Sequence, residues 1–294
     1  MVMNILVTGG AGFIGTNLIK QLVKDGLHNV VSIDNYSTGT EDNHQEGCVY
    51  HNVDIRDAVD FDFFMDSPDI IYHLAALPRI QPSFEFPALT MEIGMLGTMN
   101  ILEWARNKDY KPMVIYAGSS SVHSGHYENP YTFSKVMGDE LCMAYKEMFG
   151  VNAKICRFYN VYGPHQLTEG EYCTVIGIFE RQYQEGVELT ITGDGTQRRD
   201  FTHVDDIVEG LILTSESESF ELDYVELGRG HNHSINELAE MFGCGYTYIP
   251  KRPGEAEVTL CDTSLAKKDI GYEPKINLED YIKSVVWNNI VSLP

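Results

Sequence analysis

The turn Thr8-Gly9-Gly10-Ala11-Gly12-Phe13-Ile14-Gly15 joins an apolar run, Asn4–Thr8, to a segment of helical periodicity, Gly12–Lys24. Three needs put glycine there: a tight turn, a close backbone approach to a pyrophosphate, and close helix–strand packing. The helix N-terminus adds amide donors. Glycine spacing alone is weak evidence, but a strand before it and a helix after it are the context the reading requires. A second apolar run, Asn29–Asp34, ends on a carboxylate placed to hold ribose hydroxyls. An acidic group there repels a 2′-phosphate, so NAD is expected rather than NADP; the alternative makes Asp34 a turn residue before Asn35. Asp54, after a short strand at Val49–Val53, either meets the adenine amino group or caps a helix. The expected cofactor contacts on this half are Gly9, Gly12, Phe13, Ile14, Gly15, Asp34, Asn35, Asp54 and Ile55.

Further buried strands are expected at Ile70–Ala75, Met113–Ala117 and Ala153–Phe158, with helices at Leu89–Arg106 and Tyr131–Phe149 between them. Such alternation predicts an α/β fold, a doubly wound parallel (Rossmann) sheet covered by helices on both faces. Beyond Phe158 the rhythm loosens into a helix at Val175–Glu185, a strand at Leu189–Thr192 and a helix after Val204. Short strands at Tyr224–Leu227 and Tyr246–Ile249 and a last helix within Leu278–Asn289 follow. The expected division is a nucleotide-binding domain over 1–164 and a smaller C-terminal α/β substrate domain over 165–294, with 193–216 interleaved into the first.

Composition narrows the partners. Across 294 residues, 21 basic side chains face 43 acidic ones, a formal charge of −22. That field repels a polyphosphate backbone or an anionic membrane, so neither a nucleic acid polymer nor a membrane is an expected partner. No run approaches the about 18 apolar residues of a membrane span. The start of the chain lacks a basic region, so no signal peptide is expected. The six cysteines show no CxxC spacing, which suits a reduced, cytoplasmic protein and gives no metal site. His231 and His233 read as part of a polar loop, without carboxylate or cysteine partners at metal-binding spacing.

Pro130-Tyr131-Thr132-Phe133-Ser134-Lys135 sets a tyrosine and a lysine four apart on one helical face. Ser119–Ser121 ends a predicted parallel strand, the edge at which such sheets bind ligands. A phenol working as a base near neutral pH needs about 4 kcal/mol of stabilisation. An ammonium about 4 Å away supplies that order of energy at an effective dielectric of about 20.

With these residues in place the chain resembles the extended short-chain dehydrogenase/reductases, in particular the NAD-dependent epimerases and dehydratases of nucleotide sugars. The resemblance runs through Thr8–Gly15, Asp34, His73-Leu74-Ala75-Ala76, Gly97-Thr98, Tyr131–Lys135, Arg157–Gln166, Gly193–Asp206, Lys251–Glu255 and Leu260–Lys275. It implies NAD on the N-terminal sheet, touched also by Leu74, Ala75, Ala76, Tyr131 and Lys135, and a nucleotide sugar, most simply a UDP-sugar, beneath the C-terminal part. It further implies that Tyr131 takes a proton from a sugar hydroxyl, that Ser119 bonds the reacting oxygen, and that Lys135 holds the nicotinamide ribose. Asn160 and Tyr159 near the diphosphate, Arg199 and Arg252 on it, and Ser83, Ser119 and Ser120 on the sugar complete the implied contacts. Ser83 reads equally as a helix N-cap, and each arginine alone also reads as a surface charge.

Dehydratases of this kind carry an Asp-Glu pair after the serine, and decarboxylases a glutamate. This chain has Ser120 and Ser121, which shuttle no proton near neutral pH. The expected reaction is therefore 4-epimerisation through a transient 4-keto sugar. A 4,6-dehydratase or decarboxylase, a carbonyl reductase and a non-enzymatic dinucleotide-binding protein are the alternatives, and a homodimer is the expected assembly. The chain departs from the family pattern at Gly94 (usually asparagine), Gly118 (serine), His123 (tyrosine) and Glu226 (asparagine). Tyr131 follows Ser119 by only 12 positions.

Overall fold

The computed structural model describes residues 2–57, 61–218 and 222–292. Seven runs pair in parallel into one sheet: β1 (Asn4–Thr8), β2 (Asn29–Asp34), β3 (Cys48–Asn52), β4 (Ile70–His73), β5 (Met113–Ser119), β6 (Ala153–Phe158) and β7 (Tyr224–Leu227). Their order is β7-β6-β5-β4-β1-β2-β3, so the winding reverses between β1 and β4. Ligands of open parallel sheets lie at the carboxyl ends of the strands beside such a reversal. The inner strands are apolar because both faces are covered. On one side pack α1 (Phe13–Leu22) and two helices from late in the chain. On the other pack α2 (Ile80–Glu85), α3 (Pro87–Met91), α4 (Thr98–Arg106) and α5 (Pro130–Phe149).

Beyond β6 lie α6 (Val175–Gln184), α7 (Val204–Glu216), α8 (Ile235–Phe242), α9 (Ser264–Ile270) and α10 (Leu278–Ser292). Ile207 and Leu211 of α7 and Ala266 and Ile270 of α9 join Leu18 and Ile19 of α1 in one core. A separate core gathers Ile176, Phe179, Leu189, Ile191, Leu238, Phe242 and Ile282. There Leu189–Thr192 pairs in parallel with Tyr246–Ile249, and Arg198–Asp200 pairs antiparallel with Asn232–Ser234. The N-terminal core thus receives chain as far as Tyr272, well past 216, with Tyr224–Leu227 as its edge strand. None of the helices is long and apolar enough to cross a membrane, among the described residues.

Two expected elements differ. The single helix Leu89–Arg106 is α3, a π-helical turn at Glu92–Gly97, and α4. At Gly94, in that turn, a Cβ would stand 2.8 Å from Cβ of Ser134, so the bare backbone lets α5 approach. Periodicity does not reveal such a turn, because one extra residue leaves the apolar count intact. Ser83, in turn, lies inside α2 rather than at a helix N-cap.

The reversal point is fixed by packing and by a directed chain of hydrogen bonds. Gly9 has φ +74°, and a Cβ there would come within 2.8 Å of the Ala75 backbone nitrogen. Next to it the Ala75 amide donates to Thr8 Oγ1 (3.1 Å), which meets His73 Nδ1 at 2.8 Å. On the other side of the ring, His73 Nε2 meets Thr98 Oγ1 at 3.0 Å, and that hydroxyl donates to the Gly94 carbonyl (2.8 Å). Since Thr98 spends its proton on Gly94, Nε2 carries the imidazole proton and Nδ1 accepts from Thr8; the donor directions assign the neutral tautomer. Burial, with the nearby Lys135 charge, lowers the His73 pKa to about 3.

Two outcomes are expected. Gly9→Ala destabilises the protein by at least about 1–2 kcal/mol from the left-handed backbone alone, read from denaturant midpoints. His73, depressed when folded and ordinary when unfolded, contributes stability above about pH 6.5 that is lost towards pH 3. His73→Gln therefore flattens the fall in unfolding free energy between pH 7 and 5. The same slope in wild type and variant contradicts the neutral assignment.

Candidate active site

A cavity of about 440 Å³ opens along the carboxyl ends of β1, β4, β5 and β6 and runs beneath the loops of the C-terminal part. Its floor on one side is the glycine turn: Gly9, Gly12, Phe13, Ile14 and Gly15, with Leu74, Ala75 and Ala76 opposite and Asp34, Asn35, Asp54 and Ile55 at the far end. Ser119, Ser120, Tyr131 and Lys135 line the middle, and Tyr159, Asn160, Arg199 and Arg252 the other end. Ser83 is the exception: it lies off the cavity wall. Its hydroxyl donates to the Ile80 carbonyl (2.6 Å) and accepts from the Tyr131 amide (3.1 Å). Buried within α2, its hydroxyl is engaged inside the protein and holds the Tyr131 backbone.

The cofactor end fits a dinucleotide. At α1 the N-cap is Gly12, with no side-chain cap and no acidic residue in the first turn, so its amides face the cavity as donors. A Cβ at Gly15 would lie 2.2 Å from the Gly9 carbonyl oxygen, so only glycine lets the helix start this close to the turn. Asp34 accepts from the Ala11 amide (2.9 Å) and the Tyr36 amide (2.8 Å), which fixes its carboxylate at the end of β2. Asp54 differs from expectation in its company. It is held by the Arg56 guanidinium (2.7 and 3.0 Å) and by Asn35 Nδ2 (3.0 Å), and the arginine keeps its pKa well below the usual carboxylate range. Part of its accepting capacity is therefore spent within the protein.

At the centre, Asn129 caps α5, accepting from the Thr132 amide (2.7 Å), and Pro130 follows at the first helical position. Asn129 Nδ2 also donates to the Gly254 carbonyl (3.2 Å), which ties the short 124–130 loop to the 251–255 loop. Tyr131 and Lys135 share a face of α5, and the lysine is anchored on the sheet. Its ammonium donates to the Ala117 carbonyl (2.7 Å) and sits over the Tyr116 ring. Burial lowers its pKa to about 8, against the pull of Asp139. Burial also raises the Tyr131 phenol, and the groups that oppose this are the Ser119 hydroxyl and the Arg79 guanidinium. An arginine from the start of α2 thus adds a cation near the phenol.

The departures from the family pattern find partners. A Cβ at Gly118 would meet Arg157 Cγ and Asp139 Oδ1, each at 3.1 Å, so glycine leaves room for the Arg157–Asp139 pair (2.9 Å), which is almost fully buried. His123 Nε2 meets the Glu226 carboxylate, which also accepts from the Tyr159 hydroxyl (3.1 Å). Two unusual residues thus form one contact across 103 positions, behind a tyrosine of the cavity wall. At the distal end Arg199 is half-buried and held by the Arg198 carbonyl (3.0 Å) and Glu255 (3.7 Å), whereas Arg252 is exposed. Asp200 organises this end: its carboxylate accepts the amides of Arg229 (2.8 Å), Gly230 (2.9 Å) and Cys261 (3.0 Å). Arg79 and the segment Glu171–Thr174 also line the cavity. Neither lies in a recognisable motif. Among the described residues no three His, Cys, Asp or Glu side chains converge as a metal site.

Residues 5–225 match the sequence pattern of the NAD dependent epimerase/dehydratase family. The chain belongs to that family. It is 32% identical over 300 residues to a putative UDP-glucose 4-epimerase of Methanocaldococcus jannaschii, covering 96% of this chain and 97% of that one. Its fold is similar to a UDP-glucose 4-epimerase of Thermotoga maritima solved with UDP-glucose (TM-score 0.90, 28% identity, 99% and 100% of the two chains). It is also similar to a UDP-glucuronic acid 4-epimerase of Bacillus cereus solved with UDP-glucuronic acid and NAD (TM-score 0.85, 28% identity, 99% and 100%). The family's cofactor is NAD.

The electrostatics of Tyr131 give a pH prediction. Because the Ser119 hydroxyl favours the phenolate, Ser119→Ala moves the ascending limb of kcat/KM to higher pH. A limb at the wild-type position would remove Ser119 from contact with the Tyr131 phenol.

Proposed function

We propose that the protein is an NAD-dependent nucleotide-sugar 4-epimerase acting on a UDP-sugar. The observation that carries this is the composition of the cavity's centre: Tyr131, Ser119 and Lys135 stand together there, and the neighbouring positions are Ser120 and Ser121 rather than carboxylates. The wall holds what oxidation at a hydroxyl-bearing carbon requires, with no further acid–base pair at those positions for eliminating water. NAD, when bound, supplies the hydride acceptor at C4 and returns the hydride to the opposite face.

The residues of the chain handle the proton and the positions. Tyr131 takes the proton of the 4-hydroxyl and gives it back after the sugar has turned, while Ser119 donates to the 4-oxygen. Lys135 holds the ribose hydroxyls next to the phenol. Gly9, Gly12, Phe13, Ile14 and Gly15 cradle the cofactor pyrophosphate, Asp34 takes the adenosine ribose, and Asn35, Asp54, Ile55, Leu74, Ala75 and Ala76 enclose the rest. Tyr159, Asn160, Arg199 and Arg252 hold the sugar diphosphate, and Ser120 faces the sugar. A guanidinium suits a diphosphate because its fork donates in pairs.

In this reading the Rossmann domain is mainly 1–164 and the substrate domain mainly 165–294, with α7, β7 and α9 returned to the first. The protein works as a cytoplasmic homodimer. Six free thiols support the compartment. Leu96 and Met99, both exposed on the outer side of the π-turn and α4, support pairing through those helices and α5. Sedimentation at assay concentration should give twice the chain mass; a monomer would contradict the assembly.

Incubation with UDP-sugars followed by NMR should show C4 epimers interconverting without net NADH. Loss of water or carbon dioxide as the main product would overturn the assignment. Tyr131→Phe should keep NAD affinity and lose at least about a hundredfold in kcat, the lower range for a general base.

A further inference from the structure

Arg79 is a charged cavity residue that the motifs leave without a role. Its φ and ψ are 92° and 140°, a backbone conformation suited to glycine. The other non-glycine residues with positive φ among those described, Tyr36, Ser67, Lys111 and His165, lie at 50–66° and none lines the cavity. Strained backbone of this kind persists where the surroundings hold it, and it concentrates at ligand sites. Here the hold is a hydrogen bond from Arg79 Nε to the Tyr172 carbonyl (3.0 Å), 93 positions away. The terminal nitrogens make no hydrogen bond or ion pair with any described residue, although the charge lies near Tyr131, Cys173 and Glu255. Glu255 is already engaged by Arg199 (3.7 Å).

A part-buried guanidinium whose terminal nitrogens pair with no carboxylate is costly, and a ligand that supplies the pair recovers that cost. In the proposed reading the diphosphate lies with Arg199 and Arg252, at the far end from the glycine turn. Arg79 instead adjoins the phenol, where the sugar ring must sit for its 4-hydroxyl to meet Tyr131. A neutral hexose offers this cation only hydroxyls, whereas a carboxylate offers two oxygens to its fork.

We propose that Arg79 is a specificity-determining residue that binds a carboxylate carried by the sugar, so that the preferred substrate is a UDP-linked acidic sugar. This rests on the UDP-sugar epimerase reading and sharpens it. The carboxylate can belong to the ring, as in a hexuronate, or to a lactyl ether, as in a muramate. Both present the same group.

The test titrates the NAD-loaded protein with two pairs of ligands: UDP-glucuronate against UDP-glucose, and UDP-N-acetylmuramate against UDP-N-acetylglucosamine. Calorimetry gives the affinities, and NMR of the C4 epimers gives kcat/KM. In at least one pair the acidic member should bind at least tenfold more tightly; which pair does so identifies the source of the carboxylate. Arg79→Gln should remove that preference, lowering kcat/KM for the acidic sugar at least tenfold further than for its neutral partner, and Arg79→Lys should retain part of it. Arg79→Gly guards against misfolding: glycine suits the backbone, so its Tm should not fall while the preference disappears. Equal affinity within both pairs, or a preference that survives Arg79→Gln, overturns the proposal. If no UDP-sugar is epimerised, the activity reading fails while the affinities still decide the role of Arg79.

Discussion

The cofactor half of this protein depends on one directed hydrogen-bond chain across the reversal point of the sheet. It runs from the Ala75 amide through Thr8, His73 and Thr98 to the Gly94 carbonyl. Each donor has a single acceptor, so the neutral imidazole and both hydroxyls have one consistent orientation. The chain fastens the end of β1 to the end of β4 and both to the helix bearing Thr98. Gly9 meanwhile keeps the turn within van der Waals contact of Ala75. The cavity floor is rigid because its polar atoms are satisfied inside the protein, which leaves the uncapped amides of α1 available to a ligand.

The wall of the cavity uses a different logic. Lys135 is buried and anchored on the Ala117 carbonyl, so its ammonium is a positioned donor. Arg79 adds a second cation near the Tyr131 phenol, with its side chain held by the Tyr172 carbonyl. Overall charge sharpens this division. With −22 on the whole chain, long-range attraction works against a dinucleotide and a sugar diphosphate alike. Affinity must come from donors placed at contact distance, and the cavity places them at three stations: the α1 terminus, Arg79, and the Arg199–Arg252 end.

Much of this was legible in the chain. The glycine turn, the strand ending in Asp34 and the Tyr131–Lys135 spacing are local features whose geometry follows from short-range rules, and they fall where those rules put them. Arg79 was not legible, because its backbone conformation and the direction of its side chain depend on Tyr172. The same holds for His123 and Glu226, which look like separate losses in sequence and are one contact in space. Ser83 fitted two local readings, an N-cap and a sugar contact, yet it serves a third purpose, holding the Tyr131 amide. Leu89–Arg106 reads as one helix because a π turn takes up one extra residue and keeps both the apolar content and nearly the register of the winding on either side.

The wider turn sets how the segment tolerates length variation. One residue of a regular α-helix corresponds to a rotation of about 100°. A turn closed by i→i+5 bonds takes about one residue more to come round. Glu92–Gly97 therefore absorbs an extra residue locally, while Thr98 still meets His73 and Ile101 and Leu102 still reach the core. A residue added or removed where the winding is regular has no such outlet and would turn everything beyond it by about that angle. Among variants of this chain, a one-residue change in the length of this stretch should therefore fall within Glu92–Gly97.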